Sequence, residues 1–147
     1  METIVMQEQK TFFTEKVKLT GVKEYGFAFN DLATGTASIP ASGAKFDIYF
    51  EGEVEGERLN GKLKGVDYLT VRADGKLELN LQASITTEDG AIIKVEETGN
   101  NHQGALKLFM KFHSNHESYV WLNQVSVLGL GTVSFSTGEV NIEGYLI

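Results

Sequence analysis

From residue 76 onward the chain alternates apolar and polar side chains. In residues 76–87, KLELNLQASITT, the odd positions are Leu77, Leu79, Leu81, Ala83 and Ile85, and the even ones are Glu78, Asn80, Gln82, Ser84 and Thr86. A period of two puts every apolar side chain on one face of an extended strand, which no helix does. The run AIIKVEE continues it: Ala91, Ile93 and Val95 fall on one face, and Ile92 is its outward apolar residue. Turn signals arrive at hairpin spacing, at Asp74-Gly75, Asp89-Gly90, Gly99-Asn100-Asn101 and Thr137-Gly138. The pattern predicts strands over residues 12–20, 25–30, 46–54, 58–73, 76–87, 91–98, 105–113, 119–128, 132–136 and 140–146. Helical spacing is weak throughout; Phe13, Val17 and Leu19 make no continuous stripe with Ile4 and Val5.

Short strands with one apolar face each must bury that face, and without helices the solutions are a sandwich or a closed barrel. Gly61 and Gly65, inside the longest predicted strand, favour the barrel, because glycine within a strand marks a bulge or the sharp coiling that closure needs. The expected fold is an all-β, single-domain antiparallel barrel of about eight to ten strands, rich in meanders and spanning residues 1–147.

One strand breaks its own pattern. Read every second residue back from Ala73, and the inward row is Val71, Leu69, Asp67, Gly65 and Leu63. Burying each large apolar neighbour is worth about 1.5–3 kcal/mol. An unpaired buried carboxylate costs several kcal/mol or takes up a proton. Asp67 therefore needs a hydrogen-bonding partner, such as a tyrosine hydroxyl or Arg58, or a solvated pocket at the barrel mouth. The same parity puts Glu97 inward, after Val95 and near its predicted strand end. Two interior acids from different strands make candidate general acid/base groups, since their environments push their pKa values apart.

The segment SYVWLNQ is a candidate ligand wall. With Tyr119, Trp121 and Asn123 facing inward, it offers an indole surface and an orienting amide two residues apart, although Trp121 is better read as plain core filler. His102, His113 and His116 have no specific metal-ligand spacing and sit in or beside polar loops, so no metal site is expected, and no cofactor. GLGT, Gly129 to Thr132, reads as a connection between two strands that opens no helix, which leaves no phosphate loop. There is no GxSxG elbow.

Composition narrows the partners. With 13 basic residues against 20 acids the formal net charge is −7, which repels phosphate backbones and anionic membranes. No nucleic acid or membrane partner is expected. Cysteine is absent, excluding disulfides and thiolate chemistry, and the first residues lack a basic region followed by an apolar run. A cytoplasmic location is the expectation. The outward apolar residues Tyr68, Ile92 and Phe109 point to a homo-oligomeric contact.

Taken together, EGERLNGKLKGVDYLTVRADGKLELN, ITTEDGAIIKVEETG and YVWLN give residues 50–147 a resemblance to the bacterial family called domain of unknown function 3237. The resemblance implies a barrel related to the allene oxide cyclase and calycin-like barrels, and no settled activity. It places the family's recurrent acid before an aromatic on Asp67 and Tyr68, its Asp-Gly turn on Asp89 and Gly90, and its Trp-Leu-Asn on Trp121, Leu122 and Asn123. The family's glycine and arginine upstream of a proline have no counterpart arginine in GTASIPASG, which implies either a different ligand or the use of Arg58 in its place.

Three functional expectations follow. The barrel binds a small, partly apolar molecule through Asp67, Arg58, Tyr68, Tyr119, Trp121 and Asn123. It is an isomerase, cyclase or lyase using Asp67 or Glu97 as general acid or base. Or its interior is packed solid and it acts through assembly with a partner.

Overall fold

A computed structural model describes residues 10–147 of the chain. Ile4, Val5 and the leader reading lie outside the described residues. Eight antiparallel strands follow one another around a closed barrel: β1 Phe13–Glu24, β2 Ala44–Glu55, β3 Gly61–Val71, β4 Leu77–Thr86, β5 Ile92–His102, β6 Ala105–His113, β7 Ser126–Ser134 and β8 Glu139–Leu146. Each strand pairs with the next in sequence. β8 returns to β1 through the register Val17↔Val140 and Glu15↔Ile142, so no edge is left open.

The ten predicted strands reduce to eight for two reasons. Residues 25–30 form no strand, because Gly26 at φ +84° turns the chain and a short helix, α1 Phe29–Thr34, follows and stops at Gly35 in the left-handed region. What looked like strand alternation at Phe27 and Phe29 is instead contact with the barrel rim, where both rings meet Phe46 edge-on at 6.3 and 5.5 Å. The predicted strands at 119–128 and 132–136 are a 3-10 helix, Val120–Gln124, followed by the single strand β7. GLGT therefore lies inside β7 and joins nothing. Gly99-Asn100-Asn101 likewise sits within β5, and the turn falls at Gln103 and Gly104, both with positive φ as a tight two-residue hairpin requires.

Parity held wherever a strand formed. Leu63, Leu69 and Val71 of β3, Leu79 to Ile85 of β4, and Ile93 and Val95 of β5 are all buried, while Ile92 is 68% exposed. β1 runs longer than its pattern predicts because a bulge between Leu19 and Gly21 resets its register against β2.

Connections gather at two ends. Residues 56–60, 87–91 and 114–125 close one end, where Phe12 packs edge-on against Trp121 at 6.0 Å and Phe13 against Phe112 at 6.3 Å, over the fully buried Leu59 and Leu122. Residues 25–43, 72–76, 103–104 and 135–138 form the other end, where Phe29 meets Phe135 at 5.1 Å. One end is thus plugged by aromatic rings, and the other is only strapped by the α1 segment.

Gly65 shows why closure needs glycine in β3. A Cβ there would lie 2.5 Å from the Gln82 carbonyl oxygen and 2.7 Å from the Ala83 Cβ of β4. Gly65→Ala should therefore lower stability by about 1–3 kcal/mol, as overpacking does. The check is a fall in the urea midpoint at unchanged slope; an unmoved midpoint would mean that β3 and β4 separate freely there.

Candidate functional site

Between the aromatic plug and the α1 strap the lumen is not filled. It holds a cavity of about 60 Å³. Its walls are apolar, from Val17 and Leu19 of β1 to Val140 and Ile142 of β8, apart from four polar residues: Glu15, Asp67, Glu97 and Asn101. Asn101 is committed elsewhere, because its Oδ1 accepts the Gly104 N–H at 2.8 Å and fastens the β5–β6 turn. Three acids remain.

Each reaches the lumen by strand parity. Asp67 follows Leu69 and Val71 on β3, Glu97 follows Ile93 and Val95 on β5, and Glu15 stands between Phe13 and Val17 on β1. Glu97 lies mid-strand because β5 continues to His102, so it is deep in the barrel and not at a frayed end. The exposures are 2% for Glu15, 8% for Asp67 and 1% for Glu97.

Their hydrogen bonding is unequal. Asp67 Oδ1 accepts the Asn80 backbone N–H at 3.1 Å. That is the partner this carboxylate needed, and it comes from neither a tyrosine nor Arg58. Glu97 Oε1 is buried with no hydrogen-bond donor among the described residues.

Desolvation dominates the titration of all three. It raises Asp67 to about 6, against the lowering effect of the Asn80 N–H, and raises Glu15 to about 7. Glu97 is pushed well above the usual carboxylate range by burial, then by the negative charges of Glu15 and Asp67. The result is a graded set. At neutral pH Glu15 is partly protonated and Asp67 mostly ionised, while Glu97 is shifted strongly toward its protonated form.

The other sequence-derived candidates do not reach this cavity. Tyr68 alternates with Asp67, so it points outward and is 47% exposed beside Tyr25 and Asp47. Tyr119, Trp121 and Asn123 belong to the 3-10 helix segment at the plugged end, where strand parity does not apply. Tyr119 donates its hydroxyl to Asp89 at 3.2 Å. The Trp121 ring lies under the Arg58 guanidinium at 3.8 Å. Asn123 clips Ser114, accepting its N–H at 2.7 Å and donating to its carbonyl at 3.0 Å. These contacts fasten the closing segment to the barrel. Phe109 is 50% exposed on β6, and with Ile92 on β5 and Tyr68 on β3 it forms no single cluster, since Ile92 lies six residues along β5 from the Phe109 partner Thr98. Among the described residues no group of three His, Cys, Asp or Glu side chains could hold a metal ion.

Glu15 is the residue that the sequence reading missed. Its signal was present, because Phe13, Glu15, Val17 and Leu19 alternate in the same way as the row through Asp67.

Comparison with known proteins fits this architecture. The family described as protein of unknown function (DUF3237) matches residues 12–107. The chain belongs to that family. The match includes the strands carrying Glu15, Asp67 and Glu97. It begins earlier than the resemblance placed it and stops before YVWLN. A UPF0311 protein of Rhodopseudomonas palustris is 28% identical over 144 residues, covering 83% of this chain and 86% of the relative. Among solved structures, a β-barrel-like protein from Acinetobacter baumannii aligns with a TM-score of 0.76 at 22% identity, covering 95% of this chain and 94% of the other. A structure described as an enzyme from Penicillium herquei aligns with a TM-score of 0.64 at 20% identity, covering 98% and 99%. At these identities the structural likeness shows this DUF3237 chain's barrel fold. No helix among the described residues is long and apolar enough to cross a membrane.

The three raised carboxyls make a signed stability prediction. Each holds its proton more tightly in the folded state than in the unfolded chain, so stability is fully present below the unfolded values, near 4, and falls as pH rises through about 6 for Asp67 and about 7 for Glu15. Glu97→Gln removes the most perturbed of these groups. At about pH 8 it should be more stable than wild type by on the order of 1–3 kcal/mol, with little difference at about pH 4. Urea unfolding at both values tests this, and a wild type equally stable at both would contradict it.

Proposed function

We propose that this barrel binds a small, predominantly apolar molecule in its lumen, with its polar group set against Glu97, Asp67 and Glu15. The observation that carries the reading is Glu97, which lines an unfilled, mostly apolar cavity and whose buried Oε1 has no donor among the described residues. A buried polar atom left unsatisfied costs about 1–3 kcal/mol, and a ligand group placed there would recover it. The cavity as it stands suits a molecule of a few heavy atoms; a larger one requires the α1 strap to move away from Phe46 and Phe135. The open lumen also counts against a solidly packed barrel that works only through assembly.

A second reading is favoured by the graded acids. Glu97, shifted toward its protonated form, and Asp67, which titrates near 6, offer a general acid and a general base in one water-poor space, the arrangement that proton-transfer chemistry of an isomerase, cyclase or lyase uses. The fold neighbour described as an enzyme is compatible with this and adds nothing about the substrate.

Native mass spectrometry of protein from its own host tests binding. A small molecule retained by wild type and lost in Leu108→Trp, which fills the lumen from β6, is the expected result. A wild type that carries nothing and binds no member of a panel of small apolar compounds would overturn the reading. Where turnover is found, Asp67→Asn should lower it by about 10²–10⁴-fold while the ligand still binds.

A further inference from the structure

The lumen's charge inventory is one-sided. β1 supplies Glu15, β3 supplies Asp67 and β5 supplies Glu97, while β2, β4, β6, β7 and β8 contribute only apolar side chains to the lining. Among the described residues no lysine, arginine or histidine lines it. The ion pairs among the described residues lie on the surface, as in Lys64–Glu51 and Lys94–Glu96, so none of these cations answers the interior acids. Glu97 lines this space, and its buried Oε1 has no hydrogen-bond donor among the described residues.

A ligand entering the lumen meets that inventory. An anion would add to the negative charge of the ionised acids in a low-dielectric space, where repulsion is strongest. A neutral hydroxyl would satisfy one oxygen and leave the carboxylate charges uncompensated. An alkylammonium carries three donors and a positive charge on an apolar body, and so matches both the acids and the walls.

We infer that the lumen selects a small apolar amine, its cationic nitrogen held at Glu97 within the field of Glu15 and Asp67. This inference rests on the lumen-binding reading above and names its ligand class. Binding would draw the three carboxyls toward their ionised forms, so amine affinity rises with pH while the ammonium itself stays charged.

The test uses the full chain and three probes of one size: n-butylamine, 1-butanol and butyrate. Each is titrated by NMR against the methyl signals of Leu79, Leu81 and Leu108, which line the lumen. At about pH 8, n-butylamine should bind at least about tenfold more tightly than 1-butanol, and butyrate should not bind; the amine's advantage should shrink about tenfold by about pH 5. In Glu97→Gln the amine should weaken about tenfold with 1-butanol unchanged. If that variant fails to fold, Glu15→Gln carries the same expectation.

If 1-butanol binds as tightly as the amine, with the same lumen methyls shifting, the amine assignment is overturned and lumen binding stands. If no probe moves those methyls, both fall.

Discussion

Closing an alternating sheet on itself sends every second side chain of eight strands into one lumen, and three of those side chains are acids. Bulk water is excluded there, and desolvation penalises each charge. Met110 and Leu81 flank Glu97 in register, and neither donates a hydrogen bond. With no cation in the lining among the described residues, relief comes from the Asn80 N–H at Asp67 and otherwise from protonation. The cavity, the graded carboxyls and the one-sided charge all descend from that single constraint.

Much of the fold was legible because period-two alternation is a local property and survives into the structure. It assigned Asp67 and Glu97 to the interior with no knowledge of the neighbours. It failed where side chains alternate for another reason. Phe27 and Phe29 are apolar because they cover the barrel rim, and Tyr119, Trp121 and Asn123 because they plug and fasten the opposite end. Alternation cannot distinguish a strand face from a capping segment, since both need apolar side chains at close spacing. Glu15 was legible in principle, flanked as it is by Phe13 and Val17, but the lysines at 16 and 18 make that strand read as a charged surface. The depth of Glu97 was not legible, because it depends on β5 continuing through Gly99 and Asn101.

The two ends of the barrel divide the work. Arg58 over Trp121, Tyr119 on Asp89 and Asn123 on Ser114 tie one end shut with contacts that only structure reveals. At the other end, α1 buries none of its residues and is held through Phe29 and neighbouring apolar contacts. A local departure from the best-packed solution is where function concentrates in otherwise consistent folds. Here the departure is the acid cluster and its unfilled space. A core of leucines in those positions would be more stable, and so the acids are read as serving a ligand.

A carboxyl-carbon NMR titration of Glu15, Asp67 and Glu97 in the full chain tests the central claim directly. The account predicts that Asp67 titrates near 6, that Glu15 follows near 7, and that Glu97 titrates well above the ordinary carboxylate range. Three ordinary transitions between about 4 and 5 would mean that the lumen is wet and the carboxyls unburdened, and would contradict it.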